Sequence, residues 1–231
     1  MKNLTRYLLA ILLTTFCATA TAQLGEIHHN LSVGGSAGVN LSSVAFEPTI
    51  KQGRKPGINA GITARYISEK YFNILAGIQM EVNYSGRGWK EDIEDEGENS
   101  YNRSTSYIEI PFLAHLAFGK NITERSSCFF INAGPQLGIF LSEKENQNKD
   151  WDMSLHRGVR EQYGKKTENK IDYGIAAGIG GDINTRLGHF IIEGRMFFGL
   201  GNIYKDTKKD YFGRSANNYL SLRVAYLVDI F

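Results

Sequence analysis

From Leu31 onward the chain alternates. Leu31, Val33, Ala37, Val39 and Leu41 hold the odd positions, and Ser32, Gly34, Ser36, Gly38, Asn40 and Ser42 hold the even ones. A period of two sends successive side chains to opposite faces of an extended strand. The pattern recurs over seven more segments. Ile58, Ala60, Ile62, Ala64 and Tyr66 oppose Asn59, Gly61, Thr63 and Arg65. The clearest stretch runs from Phe72 to Tyr84, with Ile74, Ile78, Met80 and Val82 on one face and Gln79, Glu81 and Asn83 on the other. Four further apolar rows begin at Ile108, Phe129, Ile171 and Phe190, and the last runs from Leu220 to Val228. Each segment has the length of a tilted membrane-crossing strand, about 9–11 residues.

The joins are also patterned. Segments one and two are linked by 46–56, three and four by 86–104, five and six by 142–170, and seven and eight by 202–217. The intervening joins, 68–70, 119–127 and 184–188, are shorter. Long joins alternating with short ones suit an up-and-down barrel with short periplasmic turns and longer outer loops. In hydrocarbon every backbone N–H and C=O must be bonded within the protein, so such a sheet has to close. The fold expected is therefore all-β: an eight-stranded antiparallel up-and-down transmembrane β-barrel in the bacterial outer membrane.

Eight strands leave an interior that side chains fill. On the inward face, glycines alternate with polar and charged residues. Glu81, Glu109, Asp172, Asp182 and Glu193 are placed to meet Arg65, Arg195, Arg223 and His115. Charges in so narrow a space are costly unless paired, so these nine residues are expected to form a crosslinked polar plug. The competing reading is an ion pathway through Glu193, Arg195 and Arg223, which would make the protein a small transporter or channel.

The first residues speak to export. Lys2 and Arg6 precede an apolar run from Leu8 to Leu13, and small residues end at Ala20-Thr21-Ala22. Charged start, apolar middle and an A-x-A end are the parts of a secretory signal peptide. The chain is thus divided into a signal, 1–22, and a barrel domain, 23–231. Cys17 follows Phe16 rather than a small residue, which argues against lipidation there. Without the signal, one cysteine remains, Cys128, so an internal disulfide is impossible and no thiolate metal cage is supported. Lys2 and Arg6 are the only charges before Gln23, and 26 basic residues stand against 24 acidic ones overall. That balance gives no reason to expect nucleic acid as a partner. Abundant Gly (25) and Phe (13) beside scarce Pro (4) suit a large sheet better than helices. The chain ends on an aromatic, Phe231, as many outer-membrane barrels do. That residue, however, shares its register with Asp229 and Arg223, so either a bulge shifts it or it turns inward at the rim.

Five stretches carry a family resemblance: 35–44 (GSAGVNLSSV), 64–72 (ARYISEKYF), 81–89 (EVNYSGRGW), 107–113 (YIEIPFL) and 132–138 (NAGPQLG). Together they resemble the PorT-like outer-membrane β-barrel family of Bacteroidota, over nearly all of 23–231. The resemblance implies an eight-stranded outer-membrane barrel. The member that names the family is linked to protein secretion to the cell surface. The shared motifs look architectural, and no functional residue is carried over from them.

Candidate chemistry is thin. His115 and Glu109 share a face but stand six residues apart, about 20 Å along a strand at 3.3 Å per residue. His156 lies in a loop with Ser154 and Asp152, His189 sits at a turn, and His28 and His29 precede the barrel. None makes a nucleophile–base pair, so no catalytic residue, cofactor or metal site is expected. The acidic run 90–98 (KEDIEDEGE) fails the EF-hand test, because the twelfth loop position from Asp92 is Arg103 rather than Glu. It reads as a solvated loop, with loose binding of the cations that bridge lipopolysaccharide as the alternative. Arg157, Arg160, Lys165, Lys166 and Lys170 make the second half of 142–170 basic, which suits lipopolysaccharide phosphates. Trp89, Tyr101, Tyr107, Tyr84, Tyr219 and Tyr226 are read as membrane-interface aromatics. The Gly178-Ile179-Gly180-Gly181 run is no nucleotide loop, since no helix follows it. The expected partners are outer-membrane lipid, lipopolysaccharide and other envelope or secretion-machinery proteins.

Overall fold

The computed structural model describes residues 29–71, 74–93, 99–119, 127–148 and 158–230. The signal segment 1–22 with Cys17, His28, the acids of 94–98, Asp152, Ser154, His156, Arg157 and Phe231 lie outside the described residues.

Eight strands follow one another in chain order: β1 (Asn30–Glu47), β2 (Gln52–Tyr71), β3 (Ile74–Glu91), β4 (Tyr101–Phe118), β5 (Ser127–Gln147), β6 (Ile171–Thr185), β7 (Gly188–Asn202) and β8 (Arg214–Asp229). Each pairs antiparallel with the next, and β1 pairs with β8 from Ser32↔Asp229 to Glu47↔Arg214, closing the barrel. Closure removes both sheet edges, as hydrocarbon demands.

The alternation decides which face is which. Ile58, Ile62, Ile179, Ile192 and Leu222 point outward, and Ile58 keeps 65% of its surface exposed. A monomer in water rarely exposes an apolar patch beyond a few hundred Å²; here such residues girdle the whole barrel, a surface suited to lipid. The opposite positions, such as Ser36, Asn59, Glu81, Asn132 and Arg223, are buried in the lumen.

The strands outrun the apolar band at the long-loop end. Residues 86–91, 101–104 and 142–147, expected as loop, continue β3, β4 and β5. Likewise the join expected at 46–56 shrinks to 48–51, shorter than the 119–126 join at the opposite end. The physical reason is an inversion of the pattern. Beyond the bilayer the outer face meets water, so Asn102, Ser104 and Lys144 point out, while Val44, Phe46, Trp89 and Tyr101 point in. A search for apolar-out alternation stops where that inversion begins.

Inversion also corrects the aromatic assignments. Tyr84 and Tyr226 are exposed on the outer wall, but Trp89, Tyr101, Tyr107 and Tyr219 are buried inside. Tyr107 shares parity with Glu109, and Tyr219 with Ser221, so their strands carry them into the lumen rather than to the interface.

Candidate functional site

The lumen is built in tiers. Its centre is a neutral square of two arginines and two glutamates. Glu81 on β3 takes a two-pronged hydrogen bond from Arg195 on β7, at 2.8 and 2.7 Å. Arg195 also donates to Glu193 from Nε and Nη2, both at 2.9 Å. Arg223 on β8 pairs with Glu81 and donates to Ser36 Oγ at 2.6 Å. Gln79 and Asn83 donate to the remaining Glu81 lone pairs at 2.6 and 2.7 Å. Glu81 is only 2% exposed, and charge-assisted, forked pairs of this kind are the strongest hydrogen bonds available to it.

Above it, toward the long loops, Arg87 is clamped. Its guanidinium lies 2.5 Å from both Glu109 and Asp172. The rings of Tyr107, Phe197 and Tyr219 surround it, with centroids 4.8, 4.8 and 4.7 Å away. The Tyr219 hydroxyl donates to Glu109 at 2.9 Å, and Asn217 donates to Asp172 at 3.1 Å. Planar guanidinium suits both roles, since it forks to carboxylates and stacks on rings.

Below the centre, Arg65 lies 2.8 Å from Asp182, a close ion pair that lacks hydrogen-bond alignment. His189 bridges two carboxylates, Asp182 at 2.9 Å and Asp229 at 3.1 Å. His115 meets no acid; its Nδ1 pairs with Asn132 at 2.7 Å. Glu109 and His115 therefore sit in different tiers, each with its own partner, and offer no acid–base couple. No group of three or more His, Cys, Asp or Glu suited to a metal ion occurs among the described residues.

The nine residues expected in the lumen are all buried there. They fall into three tiers rather than one knot, and Asn132, which pairs with His115 and donates to Glu193 at 3.2 Å, links His115 to the central square. Arg87, absent from that expectation, is the centre of the upper cluster. Its segment, 86–104, reads as a loop in the sequence, yet Arg87 continues the odd inward register of Glu81, Asn83 and Ser85, the one signal for it.

Apolar clusters close both ends. At the short-turn end Ile67, Leu75, Ala117, Phe130, Ile191 and Leu227 pack together. At the other, Val44, Phe46, Ile50, Trp89, Tyr101, Ile203, Tyr204 and Phe212 form a cap. The loops are pinned onto it by charged side chains. Glu143 accepts from the Thr167 hydroxyl at 2.8 Å, Glu145 accepts from the Gly164 N–H at 2.9 Å, and Glu91 accepts from Tyr163 at 2.9 Å. A register shift in the β4–β5 ladder between Ser106 and Tyr107 leaves Leu141 unpaired and turns Glu143 and Glu145 inward toward Arg103. Arg103 donates to the Tyr204 hydroxyl at 2.6 Å. Burial pushes that phenol well above its ordinary pKa, against the pull of Arg103, so it stays neutral and accepts.

A closed wall, apolar outside and filled with paired charges inside, defines an integral outer-membrane β-barrel. The chain belongs to the outer membrane protein beta-barrel domain family, whose model matches residues 21–205. The protein is thus one of the bacterial outer membrane. Among solved structures it is similar to Ail, the attachment invasion locus protein of Yersinia pestis, crystallised with the heparin analogue sucrose octasulfate. That likeness has 13% identity and a TM-score of 0.37, over 86% of this chain and 99% of that one. It is also similar to Neisserial surface protein A, at 12% identity and a TM-score of 0.40 over 85% and 96%. Likenesses this distant carry no information about what the chain binds. No protein of curated function matches the sequence.

Proposed function

We propose that this chain is a non-conducting, non-enzymatic outer-membrane barrel of the PorT-like kind. Its first 22 residues act as the export signal, and residues 23–231 serve a structural or secretion-associated role at the cell surface. Its partners are outer-membrane lipid, lipopolysaccharide and proteins of the envelope or secretion machinery.

The observation that supports silence is the filling of the lumen. A permeating ion would have to break the Glu81–Arg195–Glu193 square and pass the Arg87 clamp, and then cross the two largely apolar clusters that close the ends. Leaving a buried charge unpaired costs several kcal/mol, about 3–5 for removal of one partner. A pathway would need that cost at successive tiers.

The test is conductance in planar bilayers of the folded protein, with heat-modifiable gel mobility to certify folding. No channel events are expected at either polarity. Steady single-channel current would overturn the reading and favour the transporter or channel alternative. A deletion strain assayed for surface protein export tests the secretion role separately; unchanged export would remove that part.

A further inference from the structure

Near the long-loop end the wall is breached between β6 and β7. Their register stops at Gly174↔Gly199, and backbone bonds resume only where Glu168 and Asn169 both donate to the Ile203 carbonyl, at 3.0 and 3.1 Å. At the same height the β7–β8 register shifts between Phe198 and Asn202. Side-chain amides stand in for the ladder there. Asn169 Nδ2 donates to the Asn202 carbonyl at 2.8 Å, Asn218 Oδ1 accepts from the Gly199 N–H at 3.2 Å, and Asn202 Oδ1 accepts from the Ser215 N–H at 2.8 Å. An amide can mend a broken ladder because it carries both a donor and an acceptor.

The breach holds a cleft of about 520 Å³, lined throughout by described residues. Ligand-binding clefts run to about 300–1,000 Å³. Its apolar side is Ile171, Leu200 and the half-exposed Tyr173. The Tyr173 ring lies over Gly201 so closely that a Cβ there would stand 3.1 Å from it. Its polar side includes Glu168, Asp206 and Lys170, and these have bonding capacity to spare. Glu168 accepts the Lys205 N–H through Oε2 at 3.0 Å, and Asp206 accepts from Asn202 through Oδ2 at 2.9 Å. Glu168 Oε1 and Asp206 Oδ1 accept no hydrogen bond among the described residues. Lys170 uses one of its three N–H groups, on the Thr167 carbonyl at 2.9 Å.

These features select the ligand's chemistry. Two carboxylates in the lining repel a phosphate or any other anion. Lys165, 3.5 Å from Glu168, and Lys170 set two positive charges beside them, so a bare cation gains little. An acyl chain would leave the polar side without partners. What matches is an uncharged molecule with an apolar face and a rim of hydroxyls, each able to donate and to accept. A sugar ring has that form. Its C–H face suits the negative face of the Tyr173 ring, while its hydroxyls donate to the two carboxylates and accept from Lys170.

We infer that the breach between β6 and β7 is a binding site for a neutral oligosaccharide, with Tyr173 as the stacking platform and Glu168 and Asp206 as hydroxyl acceptors. The carboxylates that suit hydroxyls also set this cleft apart from a site for phosphorylated lipid headgroups.

The experiment is saturation-transfer NMR on the folded full chain in neutral detergent. Maltotriose, cellotriose and N-acetylchitotriose serve as neutral probes, and 3′-sialyllactose as an anionic one. Transfer to at least one neutral trisaccharide is expected, and none to sialyllactose. Tyr173→Leu keeps the outer face apolar but removes the ring, and should abolish the transfer. Hydrogen bonds to charged acceptors are the stronger ones, so Glu168→Gln with Asp206→Asn should weaken binding about tenfold. Tyr211→Leu is the control: that tyrosine, on the β7–β8 join, is as exposed as Tyr173, both at 50%, and its variant should bind as wild type does. Silence of all three neutral probes on wild type would overturn the site, as would undiminished transfer in Tyr173→Leu. Equal losses in Tyr173→Leu and Tyr211→Leu would reduce the signal to surface adsorption and overturn it too. Sialyllactose binding as well as the neutral sugars would overturn the ligand class. Heat-modifiable mobility reports folding of each variant, and the outcome is independent of whether the lumen conducts or the cell exports protein.

Discussion

Replacing Glu81 with Gln changes a single atom type at the centre of the lumen. The carboxylate has two arginine partners, and the variant leaves Arg195 and Arg223 with one counter-charge, Glu193. That residue already receives two hydrogen bonds from Arg195 at 2.9 Å, while its contact with Arg223 is longer, at 3.9 Å. The lumen centre would then hold an uncompensated positive charge away from water. Breaking a buried pair by removing one partner costs about 3–5 kcal/mol. With a urea dependence of about 2 kcal/mol per molar, within the range for small proteins, the unfolding midpoint should fall by about 1.5–2.5 M. The assay is urea unfolding in lipid vesicles, followed by the loss of heat-modifiable mobility. Adding Arg223→Met to Glu81→Gln restores neutrality, and the double variant should regain a large part of the loss, a coupling that a double-mutant cycle isolates. A Glu81→Gln midpoint equal to that of wild type would refute the reasoning, because it would mean the guanidinium groups are solvated and the centre is not dry.

Two further outcomes follow from the other tiers. Arg87→Met should strand Glu109 and Asp172 together and destabilise the barrel by about 3–5 kcal/mol, whereas Arg87→Lys should recover part of this but lose the flat stacking on Tyr107, Phe197 and Tyr219; a wild-type midpoint for Arg87→Lys would count against the ring cage, and equal midpoints for the two variants would count against the ion pairs. Trp89→Ala should empty the cap of its largest fully buried ring, cost about 3–5 kcal/mol, and speed protease cleavage within 158–170; cleavage at the wild-type rate would show that the loop does not depend on the cap.

The alternation of 72–84 could be read directly because a strand side chain has only two directions, and hydrocarbon penalises any charge sent outward. The same logic placed Glu81, Glu193, Arg195 and Arg223 on the lumen side. It failed above the band, where water replaces lipid. There polar-out, apolar-in alternation is as stable as its opposite, so Arg87, Trp89, Tyr101 and Arg103 sat in segments that looked like loop. Local sequence also says nothing of the bulge at Leu141 that turns Glu143 and Glu145 toward Arg103.

What the chain determines alone is parity: which residues face lipid and which face the lumen, strand by strand, because that depends only on the neighbour one position away. Which acid meets which base was decided by closure. Arg195 of β7 reaches Glu81 of β3, and Arg87 of β3 reaches Asp172 of β6, across a lumen whose stagger follows from joining β1 to β8. Partners set by the barrel's shear lie far apart along the chain, and no local pattern records that distance.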